Sequence, residues 1–139
     1  MELIPGSDEE AAFRIIEGVY EAYRTLQPEK IEAVQLPEYS VWDGTLPQLF
    51  KSRAEVKAFH IKDQENTKAR GPFSFEIKPL KIDVVGDFAV VLCRMQFEWQ
   101  APNAWAGGMR ITDVMRKVNG QWKMFHHHES VEPDGYSHI

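Results

Sequence analysis

Residues 110–131 read RITDVMRKVNGQWKMFHHHESV. Apolar and polar side chains alternate on both sides of Asn119-Gly120, a dipeptide that tolerates the positive φ angles of a tight turn, so the stretch is read as a β-hairpin. The two strands carry three adjacent histidines, His126 to His128, together with Asp113 and Glu129. Ionisable side chains at regular spacing on half-buried strands either line a pocket or decorate an outer face, and the register decides which. With a two-residue turn, Val118 pairs with Gln121 and Asp113 stands opposite His126, where a carboxylate can orient the imidazole. With a three-residue loop, Lys117 pairs with Gln121, and Asp113 shares a face with Phe125, His127 and Glu129. One residue of slip turns every side chain over. The dipeptide by itself favours the first pairing.

Upstream of the hairpin the period-two pattern continues. It predicts strands over residues 73–85, bent or interrupted at Pro79, and 88–99, joined by a type II′ turn at Gly86-Asp87. Residues 100–108 are read as a loop carrying Trp105, a candidate pocket lid or subunit contact. Before Arg70-Gly71-Pro72 the period is helical. Ser7 and Glu10 form a capping box for a helix to about Leu26, with Ala12, Ile15, Ile16, Val19, Tyr23 and Leu26 on one side. Pro28 ends it or opens a second, short helix. Residues 39–43 suggest a short strand ending in an acid. Ser52 and Glu55 cap a further helix to about Lys68, whose buried face carries Val56, Phe59 and His60. Helices first and antiparallel strands after predict an α+β fold.

The chain has 139 residues, 43% of them apolar and 27% charged, with a net charge of −5. That fits one ordinary folded domain over residues 1–139, with its core over about 8–132 and a polar, frayed tail from Glu132. No Lys/Arg run offers a basic face for phosphates, which speaks against nucleic acid. The one cysteine, Cys93, lies in an apolar run and reads as a core residue. No signal-like or membrane-spanning stretch is read, so the expected location is cytoplasmic. Met95, Phe97 and Trp99 alternate with Arg94, Gln96 and Glu98. If the polar set faces a pocket, the apolar set forms an outer patch that needs a cover, and a homodimer through that face is expected.

The order of elements, and the closing pattern R-x-T-x-V-x-R-K-x-x-G-x-W-x-x-x-H-x-H-x-S, resemble the nuclear transport factor 2-like superfamily and, within it, the SnoaL-like branch. The chain is also similar to the association domain of calcium/calmodulin-dependent protein kinase II. The resemblance implies a cone-shaped curved antiparallel sheet wrapped around N-terminal helices, an apolar pocket and a homodimer. Tyr20, Asp43 and Asp113 match, or fall within about one residue of, the functional tyrosine, base and oxyanion-hole acid of ketosteroid isomerase, an enzyme in which burial keeps a carboxylic acid neutral. Phe59-His60 with Glu65-Asn66 resembles a pocket helix of the kinase association domain, and Arg94 resembles one of its pocket arginines. Asp113 and Glu129 stand where that relative has arginines, so its ligand preference does not carry over. The resemblance favours the hairpin register that puts Asp113 and Glu129 in the pocket.

The candidate catalytic set is therefore Tyr20, Asp43, His60 and Asp113, and the candidate ligand lining is Trp42, Phe59, Arg94, His127 and Glu129. A buried Arg94 would need an acid partner, which Asp113 or Glu129 could supply. Each has a plainer reading: Tyr20 and Trp42 as core, Asp43 as a turn residue before Gly44, His60 as a satisfied core histidine. His126 and His128 share a face and are weak candidates for a metal pair; no metal site is assigned. Two functions fit. One is an isomerase, cyclase or dehydratase that does cofactor-independent acid/base chemistry on a small, largely apolar carbonyl compound. Asp43 or His60 would take a proton next to the carbonyl, and Tyr20, with Asp113 if protonated, would donate to the enolate oxygen. The other is a non-catalytic ligand-binding or assembly module.

Overall fold

The computed structural model describes residues 1–63, 66 and 69–133. The elements are α1 (Asp8–Arg24), α2 (Pro28–Glu32), β1 (Gln35–Trp42), β2 (Leu49–Phe50), α3 (Arg53–Lys62), β3 (Phe73–Val85), β4 (Phe88–Trp99), β5 (Trp105–Val118) and β6 (Gln121–Val131). Six strands form one curved sheet in the order β2-β1-β6-β5-β4-β3. The sheet is mixed rather than wholly antiparallel, because β1 runs parallel to β6. The α+β reading holds. The expected extension of α3 to Lys68 and the residue Glu65 lie outside the described residues, as do residues 134–139 of the tail. Among the described residues no helix is long and apolar enough to cross a membrane.

Both long helices start as their sequences dictate. The Ser7 hydroxyl accepts from the Glu10 N–H at 3.2 Å and the Ser52 hydroxyl from the Glu55 N–H at 3.1 Å. Each glutamate reaches back past the cap to the residue before it, Gly6 or Lys51. α1 buries Ala12, Phe13, Ile16, Tyr20 and Ala22. This stripe is rotated from the expected one, because the aromatic rings of Phe13 and Tyr20 take the deepest positions, leaving Ile15 and Val19 at the margin. Burial of a ring such as that of Phe13 contributes roughly 1.5–3 kcal/mol. Leu26 is not on the buried face at all. The Gln27 N–H bonds the Ala22 carbonyl at 2.8 Å and the Leu26 N–H bonds that of Tyr23 at 3.2 Å. This is a Schellman cap, with Leu26 at φ 57° in the position glycine usually holds.

The sheet keeps its apolar side inward. Met95 and Phe97 are 2% exposed, whereas Arg94, Gln96 and Glu98 face outward. The expected arrangement, polar set to the pocket and apolar set outside, is thus reversed, because α1 covers the inner face of β3 and β4 and that is where Met95 and Phe97 find cover. Arg94 consequently pairs with Glu132, at 2.5 and 3.0 Å, and not with Asp113 or Glu129. Glu132 is not frayed: its N–H also bonds the Gly108 carbonyl at 2.9 Å. Cys93 is a core residue whose thiol burial pushes up to about 12. Pro79 does mark an irregularity in β3: Pro79 pairs with Cys93 and Lys81 with Leu92, leaving Leu80 as an extra residue. The β3–β4 turn has two residues, with Gly86 at φ 58°.

The closing hairpin combines the two expected registers. Asn119 and Gly120 take φ of 52° and 77°, and Val118 pairs with Gln121, as a type I′ turn requires. Met115 then pairs with Met124, but Val114 pairs with His126, so Phe125 is an extra residue and β6 bulges there. Below the bulge, Trp122 and Met124 point inward; above it, the parity is reversed and His127 is buried. Asp113 therefore stands opposite His127, not His126.

Candidate active site

The inner face of the sheet, α1 and α3 enclose a cavity of about 950 Å³. Its walls are mostly apolar and aromatic, among them Val19, Tyr23, Val41, Phe50, Phe59, Met95, Trp99 and Met109. Trp105 sits at its edge. It is not on a loop, as expected, but opens β5 and pairs with Trp99, their rings stacked at 5.4 Å and 2°.

One polar group is built into this apolar wall. Tyr20 from α1 meets His127 and Glu129 from β6, and behind them lies Asp113 from β5. The His127 Nδ1 is 2.6 Å from the Asp113 Oδ1. The His127 Nε2 lies 3.0 Å from the Tyr20 hydroxyl oxygen and 3.3 Å from the Glu129 Oε2. The Tyr20 hydroxyl donates to the Glu129 Oε2 at 2.5 Å, and the Gly44 N–H donates to the Glu129 Oε1 at 3.3 Å. A side chain in place of Gly44 would come within 3.3 Å of the Glu129 Cβ, so glycine permits that approach. Asp113 is fully buried, and its Oδ2 has no hydrogen-bond partner among the described residues.

Electrostatics follow from this packing. Burial works against a charge on His127, but the Asp113 carboxylate beside it and the hydrogen bond they share outweigh that. With Glu129 adding to them, the imidazole is held well above its ordinary pKa. Burial raises the Asp113 carboxyl, with His127 opposing it. For Glu129 burial also acts upward, yet the hydrogen bonds and charge of His127, the Tyr20 hydroxyl and the Gly44 N–H bring its pKa down. Tyr20, desolvated and beside Glu129, stays protonated far into the alkaline range. An imidazolium with Nδ1–H aimed at Asp113 and Nε2–H aimed at the Tyr20 oxygen accounts for all three contacts.

The other expected residues are distributed unevenly. Asp43 lines the cavity, but its carboxylate accepts from the Thr45 N–H at 2.8 Å and hydroxyl at 2.7 Å, the plain turn role. His60 also lines the cavity from α3; it is exposed rather than buried among core residues. The protein packed around it lowers its pKa, with the Asp43 charge acting the other way. Phe59 stacks on Phe50 in the wall, at 5.2 Å. Two residues expected at the pocket are not there. Arg94 points out from β4 to Glu132, and Trp42 is 39% exposed on the outer face of β1, beside His128. Strand alternation sends both outward, since Met95 and Val41, their neighbours, point in. His126 lies on the outer side with its Nδ1 2.7 Å from the Ser40 hydroxyl. Asp113 does not line the cavity; it reaches it through His127.

Sequence reasoning missed Tyr39. It is 4% exposed, lines the cavity from β1, and burial with the charges of Asp113 and Glu129 keeps its hydroxyl protonated. The alternation of Tyr39 with Val41 was its only signal. Among the described residues, no group of three or more His, Cys, Asp or Glu side chains is placed to hold a metal ion.

A family model for the SnoaL-like domain matches residues 14–133. The chain belongs to the SnoaL-like family. No curated protein matches it. Among solved structures it is similar to a nuclear transport factor 2-like protein from Streptomyces avermitilis described as a candidate dehydratase, at 20% identity and a TM-score of 0.78 over 94% of this chain and 99% of that one. It is similar to a ketosteroid isomerase-like protein from Erwinia carotovora atroseptica, at 11% identity and 0.76 over 92% and 99%. A third is the calcium/calmodulin-dependent protein kinase II hub from S. rosetta, at 18% identity and 0.73 over 93% and 100%. At these identities the likeness is one of fold.

Proposed function

We propose that this SnoaL-like domain performs cofactor-independent acid/base chemistry, of the dehydratase, cyclase or isomerase type, on a small carbonyl compound held in the cavity. The observation that supports it is the Asp113–His127–Tyr20/Glu129 group set into an apolar wall, with His60 on α3 lining the same cavity. The two imidazoles are pushed in opposite directions, His127 toward the cation and His60 toward the neutral base. Groups whose proton affinities are driven apart in one site are suited to separate acid and base roles.

In this reading His60 takes a proton from the carbon next to the carbonyl. The electron pair moves to the carbonyl oxygen, which receives the hydrogen bond of the Tyr20 hydroxyl as that group turns from Glu129, backed by the His127 imidazolium. With a hydroxyl on the β-carbon, the pair then returns to expel that oxygen, which takes back the proton held by His60 and leaves as water. Asp113 is a positioning residue that fixes the His127 tautomer and charge; it is not the oxyanion donor expected from the resemblance, since His127 stands between it and the cavity. Asp43 shapes the turn and biases His60.

The test is solvent-deuterium exchange of α-protons across a panel of cyclic ketones and β-hydroxyketones, followed by NMR. His60→Ala is expected to cost ~10²–10⁴-fold in exchange rate, the range of a general base. An unchanged rate in both His60→Ala and Asp43→Asn would remove proton abstraction from these residues. The second reading, a non-catalytic binding or assembly module, is favoured by the internal pairing of Tyr20, His127 and Glu129 and by the likeness to the kinase hub. It takes over if panel members raise the melting temperature while none exchanges faster than in buffer. A homodimer belongs to either reading. The outer sheet face supports one through Phe88, Val90 and Trp42, exposed by 44%, 39% and 39%, and light scattering of Val90→Asp beside wild type tests it.

A further inference from the structure

A second cavity of about 580 Å³ lies between the end of α1, α2 and α3. Five residues, Tyr23, Ile31, Gln35, Val56 and His60, line both this space and the one described above, so the two adjoin. Its lining brings the apolar side chains of Ala22, Leu26, Ile31, Val56 and Ile61 together with the polar Gln27 and Gln35 and the charged Glu29, Glu32 and Lys57.

Two large apolar side chains in this lining are left to solvent: Leu26 is 66% exposed and Ile61 58%. Leu26 also holds the left-handed backbone conformation of the Schellman cap, at φ 57°. A bulky side chain in that conformation is disfavoured, and glycine or asparagine would close the helix more comfortably. Backbone strain at a residue whose side chain is mostly left to solvent points to an apolar occupant that would cover it. The rim says which kind. Glu29 and Glu32 oppose an anionic head, and Lys57 is occupied by Glu32 at 3.4 Å. The Tyr20, His127 and Glu129 group sits in the other cavity.

We propose that the substrate is an amphipathic molecule: an oxygenated ring or carbonyl head in the first cavity, and an aliphatic tail that passes His60 into the second. This rests on the carbonyl reading of the first cavity and names its substrate class. The arrangement places the carbon that joins head and tail beside the His60 imidazole.

The test uses cyclohexanone and cyclohexanones substituted on the carbon next to the carbonyl with n-alkyl chains from methyl to decyl, with dissociation constants measured on the intact protein by calorimetry. Wild type is expected to bind roughly 4-fold tighter for each methylene that enters the second cavity. Ile61→Trp, which fills the space from an exposed position, and Leu26→Asn, which removes an apolar rim residue at a backbone position asparagine tolerates, should flatten that slope and leave cyclohexanone itself unchanged. A slope identical in wild type and both variants, or affinity that stops rising after the shortest chains, overturns the tail site. Long chains that bind with variant-sensitive slope while cyclohexanone does not bind would leave the tail site standing and overturn the carbonyl reading of the first cavity. Binding by no member of the series overturns both.

Discussion

His127 and its two neighbours on β6 are the same residue type in consecutive positions, yet they live in different media. His127 is 5% exposed, faces two carboxylates and is held as a cation; His126 is half-buried on the outer side against the Ser40 hydroxyl, and desolvation followed by the adjoining histidines lowers its pKa. His128 is exposed. The contrast teaches that the chemistry of this strand is set by which side of the sheet a residue occupies, and that a single bulge residue, Phe125, makes that choice.

The comparison breaks most severely if the charge behind His127 is removed. Asp113→Asn should cost about 3–5 kcal/mol of unfolding free energy by urea titration, the penalty for stripping one partner from a buried pair. A loss under ~1 kcal/mol would mean that Asp113 and His127 are not a buried ion pair. The same pair predicts a pH profile. The folded pKa of His127 lies above the 6.5 of the unfolded chain. Its contribution to stability is thus fully present below about 6.5 and is lost as pH rises through the raised folded value. Wild type should lose melting temperature over that alkaline window more steeply than Asp113→Asn; parallel curves would contradict the shift.

Tyr20→Phe removes the hydroxyl that both His127 and Glu129 engage and should cost about 1–3 kcal/mol, by the same titration. A neutral result would show that Glu129 finds another donor. Deleting Phe125 sharpens the contrast rather than abolishing it. Without the extra residue, the two-residue turn leads by plain alternation to Asp113 opposite His127. The deletion should retain the raised His127 pKa in an NMR titration, at a cost of about 1–2 kcal/mol. If the histidine instead titrates like a solvated one, the bulge does more than restore parity. The smallest effect lies away from the strand: Leu26→Gly should stabilise by ~1 kcal/mol, because it relieves the left-handed strain without uncovering core. A destabilisation would show that Leu26 packs within the protein after all.

Much of the fold is legible because its signals are local. Ser7 and Ser52 announce their helices, Asn119-Gly120 its turn, Pro79 its irregularity, since each depends on backbone groups a few residues away. Tyr20 as a site residue follows from the family resemblance alone, since the helical spacing read for α1 passed it over, and the cavity position of His60 follows from resemblance and helical spacing together. What escapes is governed by parity and by cover. Arg94 and Trp42 are expected inside, although alternation with Met95 and Val41 turns them out. Tyr39 carries no signal beyond one such alternation, and the contact of Leu26 with solvent depends on where α1 stops.

By itself, then, the sequence determined both long helices, the antiparallel strand run after residue 72, a closing turn at Asn119-Gly120 and the presence of a histidine- and acid-bearing strand pair, but not the register of that turn, β2 or the start of β5 at Trp105. Tertiary structure alone decided that His127, and neither His126 nor His128, meets Asp113. The physical reason is that a strand's side chains alternate rigidly, so one unpaired residue reassigns all those beyond it. Whether that residue is accommodated depends on the packing of the inner face, where Trp122 and Met124 below the bulge and His127 above it all have to be buried at once.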